Sequence, residues 1–196
     1  MTQKRKIIIG ISGASGTIYG VRLLEILREY PAIETHLVIS DIAKEIIEHE
    51  NGRDPDDILA LADIVHSITN LGAAISSGSF LTEGMIIAPC SVKSLSGIAN
   101  SYNDNLLVRA ADVCLKERRK LIIVLRETPL HLGHLELMTR VTRYGATLLP
   151  PMPSFYHKPK TIDDIVNQTV GKVLDNFGII HNLFKRWKSG EVGDEK

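Results

Sequence analysis

Short, uninterrupted apolar runs alternate along this chain with longer stretches whose apolar positions recur every three to four residues. The runs Lys6–Ile11, Thr35–Ile39, Met85–Ala88, Leu121–Leu125 and Thr147–Leu149 are too short for helices and have no polar face. Such segments are strands of a parallel sheet covered on both sides. Ile64–Ile68 is a marginal sixth strand. The longer period predicts helices over Thr17–Tyr30, Ile42–Glu50, Pro55–Ala62, Val92–Ala99, Leu106–Arg118, Leu135–Tyr144 and Ile162–Phe177. Strands and helices in alternation predict an α/β chain: a single-domain, Rossmann-like three-layer fold with a mainly parallel sheet over residues 1–187. The charged tail, 188–196, is expected to fray.

In an open parallel sheet, ligands collect outside the carboxyl ends of the strands, where strand order reverses. The residues following each strand are therefore the candidate site. After the first come Ser12, Gly13, Ala14, Ser15 and Gly16, a turn that opens a helix. Helix starts offer unpaired N–H groups and a favourable dipole to an anion. Ser12 stands where a dinucleotide fingerprint has its second glycine, and no Lys-Ser/Thr follows to make a Walker loop. Two hydroxyls in the turn instead suit a mononucleotide or small phosphate ester, and the turn also suits a plain strand-to-helix connection. After the second strand come Ser40 and Asp41; after Met85–Ala88 come Pro89 to Ser94; after Leu121–Leu125 come Arg126 and Glu127; and after the last come Pro150 to Tyr156. Four of these five ends carry hydroxyl or basic groups suited to phosphate.

Composition narrows the partners. Lys+Arg and Asp+Glu each total 23 in 196 residues, so net charge argues for neither nucleic acid nor an anionic membrane. No apolar run reaches membrane-spanning length and the N-terminus has no signal-peptide core, so a cytoplasmic setting is expected. Cys90 and Cys114 are too few and too far apart for a disulfide framework or zinc site.

Several candidates have two readings. Asp41 suits an adenosine ribose or an N-cap, the cap being favoured because the glycine fingerprint is incomplete. Ser91 and Ser94 are equally cap residues or ligand donors. Cys90 reads as a small buried residue rather than a nucleophile. Arg109, Asp112, Lys116 and Arg118 share a helix on which a solvated, ion-paired face is the simpler account, above all for Arg118. Arg126-Glu127, directly at a strand end, reads as facing the ligand crevice. His131 and His134 have the spacing of a metal pair without an evident third ligand.

The motifs together resemble the UbiX-like flavin prenyltransferases, in the branch that accompanies phenolic (hydroxyarylic) acid decarboxylases. They are Gly13-Ala-Ser-Gly16, Tyr19-Gly-Val-Arg-Leu-Leu24, Pro89-Cys-Ser91, Arg109-Ala-Ala-Asp-Val113, Leu115-Lys-Glu-Arg118, Arg126-Glu-Thr-Pro129, His134-Leu-Glu136 and Pro153-Ser-Phe-Tyr156. The resemblance runs from about residue 6 to Trp187 and implies a flavoprotein fold. It implies transfer of a dimethylallyl group from dimethylallyl monophosphate, or the diphosphate, to N5 and C6 of reduced FMN. The prenylated FMN would serve a UbiD-type aromatic acid decarboxylase. The resemblance also implies independence of metal and a dodecamer with sites at subunit junctions. By it, Gly13, Ala14, Ser15, Ser40, Ser91, Val92, Lys93, Ser94 and Arg126 hold FMN. Tyr156 and Lys172 bind the prenyl phosphate, with Ser15, Glu50, Arg109 and Lys116 nearby; Glu127 handles protons and Trp187 closes the site. Lys172 stands where many relatives have arginine, which replaces a fork with a point charge. Two other readings stand beside this one: a non-catalytic FMN carrier within a hydroxyarylic acid decarboxylase complex, and a flavoprotein resembling phosphopantothenoylcysteine decarboxylase.

Overall fold

A computed structural model describes residues 4–187, so the expected fraying of 188–196 lies outside the described residues. The chain forms two compact units, Met1–Pro150 and Pro151–Lys196.

The first unit holds six parallel strands, β1 (Arg5–Ile11), β2 (Ile33–Ile39), β3 (Ile64–His66), β4 (Gly84–Cys90), β5 (Lys120–Leu125) and β6 (Thr147–Leu148). Their spatial order is β3-β2-β1-β4-β5-β6. The chain thus builds outward from β1 on one side and from β4 on the other, leaving the switch point between these two strands. Helices α1 (Ile18–Leu27), α2 (Asp41–Asn51), α3 (Pro55–Leu59), α4 (Val92–Ala99), α5 (Leu106–Lys116) and α6 (Leu132–Arg143) make the connections, with a single 3-10 turn at Ala74–Ser76.

Side chains on a strand alternate between faces, so a strand apolar throughout needs cover on both. Ile8, Val38, Met85, Ile87, Leu121 and Ile123 share one buried cluster with Leu95 and Ile98 of α4, Leu107 and Ala111 of α5, and Val141 of α6. On the opposite face Ile7, Ile9 and Ile11 are as completely buried, alongside Leu23, Leu24 and Leu27 of α1. Gly20 lets α1 approach: a Cβ there would lie 2.8 Å from Ile11 Cδ1 and would meet the Ala88 carbonyl.

The predicted elements are all present, with two shifts. The expected N-cap Asp41 is the first helical residue of α2, and Ser40 is the cap, its Oγ accepting from the Ala43 N–H at 3.2 Å. Helix α6 starts three residues early, because the Nδ1 of His131 accepts from the Gly133 N–H at 3.0 Å and caps it.

The second unit contains α7 (Ile162–Asn176), opened by a reciprocal capping box between Thr161 and Asp164 and burying Val166, Val170, Val173 and Leu174. Among the described residues, no helix is long and apolar enough to cross a membrane.

Candidate active site

At the switch point, the ends of β1 and β4 are stitched by one hydroxyl. Ser12 is buried; its Oγ–H donates to the Pro89 carbonyl at 3.1 Å, and its Oγ accepts from the Ser91 N–H at 2.8 Å. The Ser12 N–H also donates to the Pro89 carbonyl, at 3.1 Å. The Ser12 hydroxyl, read from the sequence as a phosphate donor, is therefore a structural bridge.

Beside this stitch opens a cleft of about 540 Å³. Ser12 and Gly13 line it from β1, Ser40, Asp41 and Ile42 from the start of α2, Ser91 to Ser94 from the start of α4, and Glu127 from beyond β5. Ile68, Thr69, Asp104, Asn105 and Leu107 complete the wall. Two helix starts thus converge on one space. Ser91 caps α4 by accepting from the Ser94 N–H at 3.2 Å, which leaves the first-turn amides of Val92 and Lys93 directed toward the cleft end of the helix. The cap and ligand-donor readings of Ser40 and Ser91 are compatible, since a capping hydroxyl keeps a further lone pair. Gly13 has a packing reason: a Cβ there would lie 2.8 Å from Ile42 Cγ2.

The start of α1 is arranged differently. One oxygen of Glu50, from the end of α2, accepts from the Gly16 N–H at 2.9 Å, the Thr17 N–H at 3.3 Å and the Thr17 hydroxyl at 3.2 Å. Burial opposes the charge, yet the Ser15 hydroxyl and these amides more than compensate and hold the carboxyl below its ordinary range. The amides that the sequence offered to a phosphate are thus engaged by a carboxylate. A phosphate finds its donors instead at Ser40, Ser91, Ser94 and the starts of α2 and α4, and that donor set fits the phosphate end of FMN.

The remaining predicted residues divide. Ala14 donates its N–H to the Ser12 carbonyl at 2.8 Å within the turn. Arg126 is exposed, its N–H donating to the Cys90 carbonyl at 3.1 Å. The Glu127 carboxylate accepts from the Thr128 N–H at 2.9 Å. Arg109 and Lys116 are not among the cleft-lining residues. Arg109 donates to the Ser76 carbonyl at 3.1 Å and to Asp112 at 3.0 Å, and Lys116 pairs with Glu117. Lys93 is the cation lining the cleft, facing the carboxylates of Asp41, Asp104 and Glu127. Tyr156, Lys172 and Trp187 belong to the second unit, where Tyr156 and Trp187 meet edge-to-face with centroids 5.8 Å apart.

Burial pushes both thiols up to about 12, which makes Cys90 and Cys114 inert packing residues at neutral pH. The rings of His131 and His134 lie 3.7 Å apart, but among the described residues no group of three or more His, Cys, Asp or Glu is arranged to hold a metal. Asn105 and Thr69 were not anticipated as lining residues. Asn105 gave a signal as the N-cap of α5, accepting from the Val108 N–H at 3.0 Å; Thr69, in a loop after β3, gave none.

The profile of the Flavoprotein family matches residues 1–174. A flavin prenyltransferase UbiX from Thauera aromatica is 60% identical over 186 residues, covering 95% of each chain. A crystal structure of a dodecameric FMN-dependent UbiX-like decarboxylase from Escherichia coli O157:H7 is 52% identical, covers 93% of this chain and 99% of that one, and superposes with a TM-score of 0.92. A crystal structure of AnUbiX with FMN and dimethylallyl pyrophosphate is 45% identical, covers 96% and 100%, and gives a TM-score of 0.93.

Proposed function

The chain belongs to the Flavoprotein family, among its UbiX-like flavin prenyltransferases, and from that premise we propose that it transfers a dimethylallyl group from dimethylallyl phosphate to reduced FMN. The observation that carries the reading to this chain's own residues is the cleft at the β1–β4 switch point, where two helix starts and the hydroxyls of Ser40, Ser91 and Ser94 converge. Gly13, Ala14, Ser15, Ser40, Ser91 to Ser94 and Arg126 hold the flavin nucleotide. Tyr156 and Lys172 bind the prenyl phosphate.

Reduced FMN supplies the nucleophilic N5 and C6 that accept the prenyl group. The protein's task is to make the phosphate leave and keep water from the allylic fragment. Breaking the C–O bond concentrates negative charge on the departing phosphate, which Lys172, the Tyr156 hydroxyl and Ser15 offset with donors fixed in advance. Positive character on the allylic carbons favours aromatic faces, which Tyr156 and Trp187 provide. Glu127, on the cleft wall, receives the ring proton displaced at C6.

Arg109 and Lys116 are engaged along α5 rather than in the cleft of their own subunit. That arrangement supports a closed homo-oligomer, a dodecamer by likeness to the E. coli O157:H7 protein, in which one subunit supplies cations to a neighbour. We assign the chain to the cytoplasm, working without a metal and passing prenylated FMN to a UbiD-type decarboxylase.

The direct test is to incubate the protein anaerobically with reduced FMN and dimethylallyl phosphate and to weigh the bound flavin. A gain of one prenyl unit is expected. Unmodified FMN after many equivalents of donor, mono- or diphosphate, rejects the reading.

A further inference from the structure

Past α7 the chain turns back along the helix that carries Lys172, and one carboxylate pins it there. Gly178 takes φ +64 at the reversal. His181 is buried, its Nε2–H donating to the Gly171 carbonyl at 2.9 Å and facing Asp175 Oδ1 at 3.2 Å, while its Nδ1 accepts from the Leu183 N–H at 3.2 Å. That pattern assigns the Nε2–H tautomer. The close approach depends on Gly171, where a Cβ would lie 2.6 Å from His181 Cε1 and 2.5 Å from Phe184 Cε1. Arg186 then reaches Asp175 with both terminal nitrogens, at 3.0 and 2.6 Å. This is the two-point fork by which a guanidinium fixes direction as well as distance. The Arg186 hydrogen bonds hold the Asp175 carboxyl below its ordinary range.

The next residue is Trp187, whose ring stands at 89° to Tyr156. Trp187 is 69% exposed, so its own burial does little to hold it. An indole at the end of such a segment would otherwise lose rotamer and backbone freedom each time a ligand bound against it. Lys172, one turn before Asp175, places its ammonium 3.9 Å from Oδ2 of the same carboxylate.

We propose that Asp175 is a positioning residue for the prenyl donor: by clamping Arg186 it sets Trp187 against Tyr156, completing the aromatic wall for the allylic chain before the donor arrives, and it restrains the phosphate ligand Lys172. The inference rests on Tyr156, Lys172 and Trp187 being the donor-binding residues. Asp175 touches neither phosphate nor flavin in this scheme. It lowers the ordering cost of the residues that do.

The chain contains one tryptophan, so indole emission reports on Trp187 alone. Asp175→Asn keeps the shape of the clamp without its charge. Arg186→Gln releases the strap from the other side and leaves the His181–Asp175 contact in place. Acrylamide quenching of the full-length protein, with flavin content matched, should be about twofold stronger in both variants, since a partly exposed ion pair of this kind holds a side chain modestly. KM for dimethylallyl phosphate should rise about tenfold while kcat stays within about threefold, as expected when a pre-organised wall is lost. Asp175→Glu, which can still offer two oxygens, should recover most of both effects. Unchanged quenching in either variant overturns the clamp, as does a fall in kcat at constant KM in Arg186→Gln. If the wild-type protein transfers no prenyl group, it is the proposed function that fails, and the quenching comparison still decides whether Asp175 positions Trp187.

Discussion

Replacing Ser12 by alanine tests whether the switch point is held by a single hydroxyl. The substitution removes two bonds at once. The Pro89 carbonyl loses the Oγ–H at 3.1 Å but keeps the Ser12 N–H, so it stays partnered. The Ser91 N–H loses its acceptor at 2.8 Å, and Ser91 is only half-buried. Leaving that amide unpaired costs about 1–2 kcal/mol, and the lost hydroxyl donation about 1 kcal/mol more. Relief from burying a hydroxyl returns about 1 kcal/mol. The net loss is about 2 kcal/mol, which for a chain of this size lowers the melting temperature by about 4–8 °C. Because Ser91 also opens α4 at the cleft, FMN should bind about three- to tenfold more weakly, a loss of the order of one neutral hydrogen bond. Circular-dichroism melting at fixed protein concentration and flavin fluorescence titration read the two effects. Melting within a degree of wild type, with FMN binding lost, would refute the reasoning, since the hydroxyl would then contact ligand instead of bridging strands.

Three further outcomes follow from the site. Glu50 titrates below its ordinary 4.5, so its stabilisation is complete above that pH and is lost as pH falls through the depressed value; Glu50→Gln should cost about 1 kcal/mol at pH 7, discounted for exposure, and almost nothing below pH 4, whereas a pH-independent difference in denaturant midpoints contradicts this. Glu127→Gln should spare FMN titration but slow single-turnover formation of prenylated flavin by about a hundredfold, and a wild-type rate removes Glu127 from the proton transfer. Light scattering should report a closed homo-oligomer, and a stable, fully active monomer would show that Arg109 and Lys116 serve no neighbouring site.

The strands were legible because burial on both faces leaves no polar position to confuse the pattern, as in Ile7-Ile-Ile9 and Leu121–Leu125. Strand β3 was marginal for the opposite reason: it is an edge, and Ile64 and Val65 remain exposed. The start of α6 was misplaced because a histidine ring nitrogen supplies the cap, and Gly133 beside it reads as loop. The strand ends located the cleft, since topology brings carboxyl ends together whatever the intervening sequence. What sequence could not show was how polar groups pair across long separations. Glu50 lies 34 positions from Gly16, and no local pattern joins them. The same limit hid the partners of Arg109, one of which is a backbone carbonyl at Ser76.

The carboxylate of Glu50 also bears on which nucleotides this sheet refuses. The strand order is that of dinucleotide-binding enzymes, which seat a pyrophosphate on the start of the first helix. Here that helix start already has an internal anion, and its foremost amides are spent. A pyrophosphate entering along the usual path would meet like charge and no free donors, while a ligand with one phosphate, seated at α2 and α4, would avoid the conflict. Discrimination against NAD and FAD is thus written into a helix cap rather than into the ligand pocket.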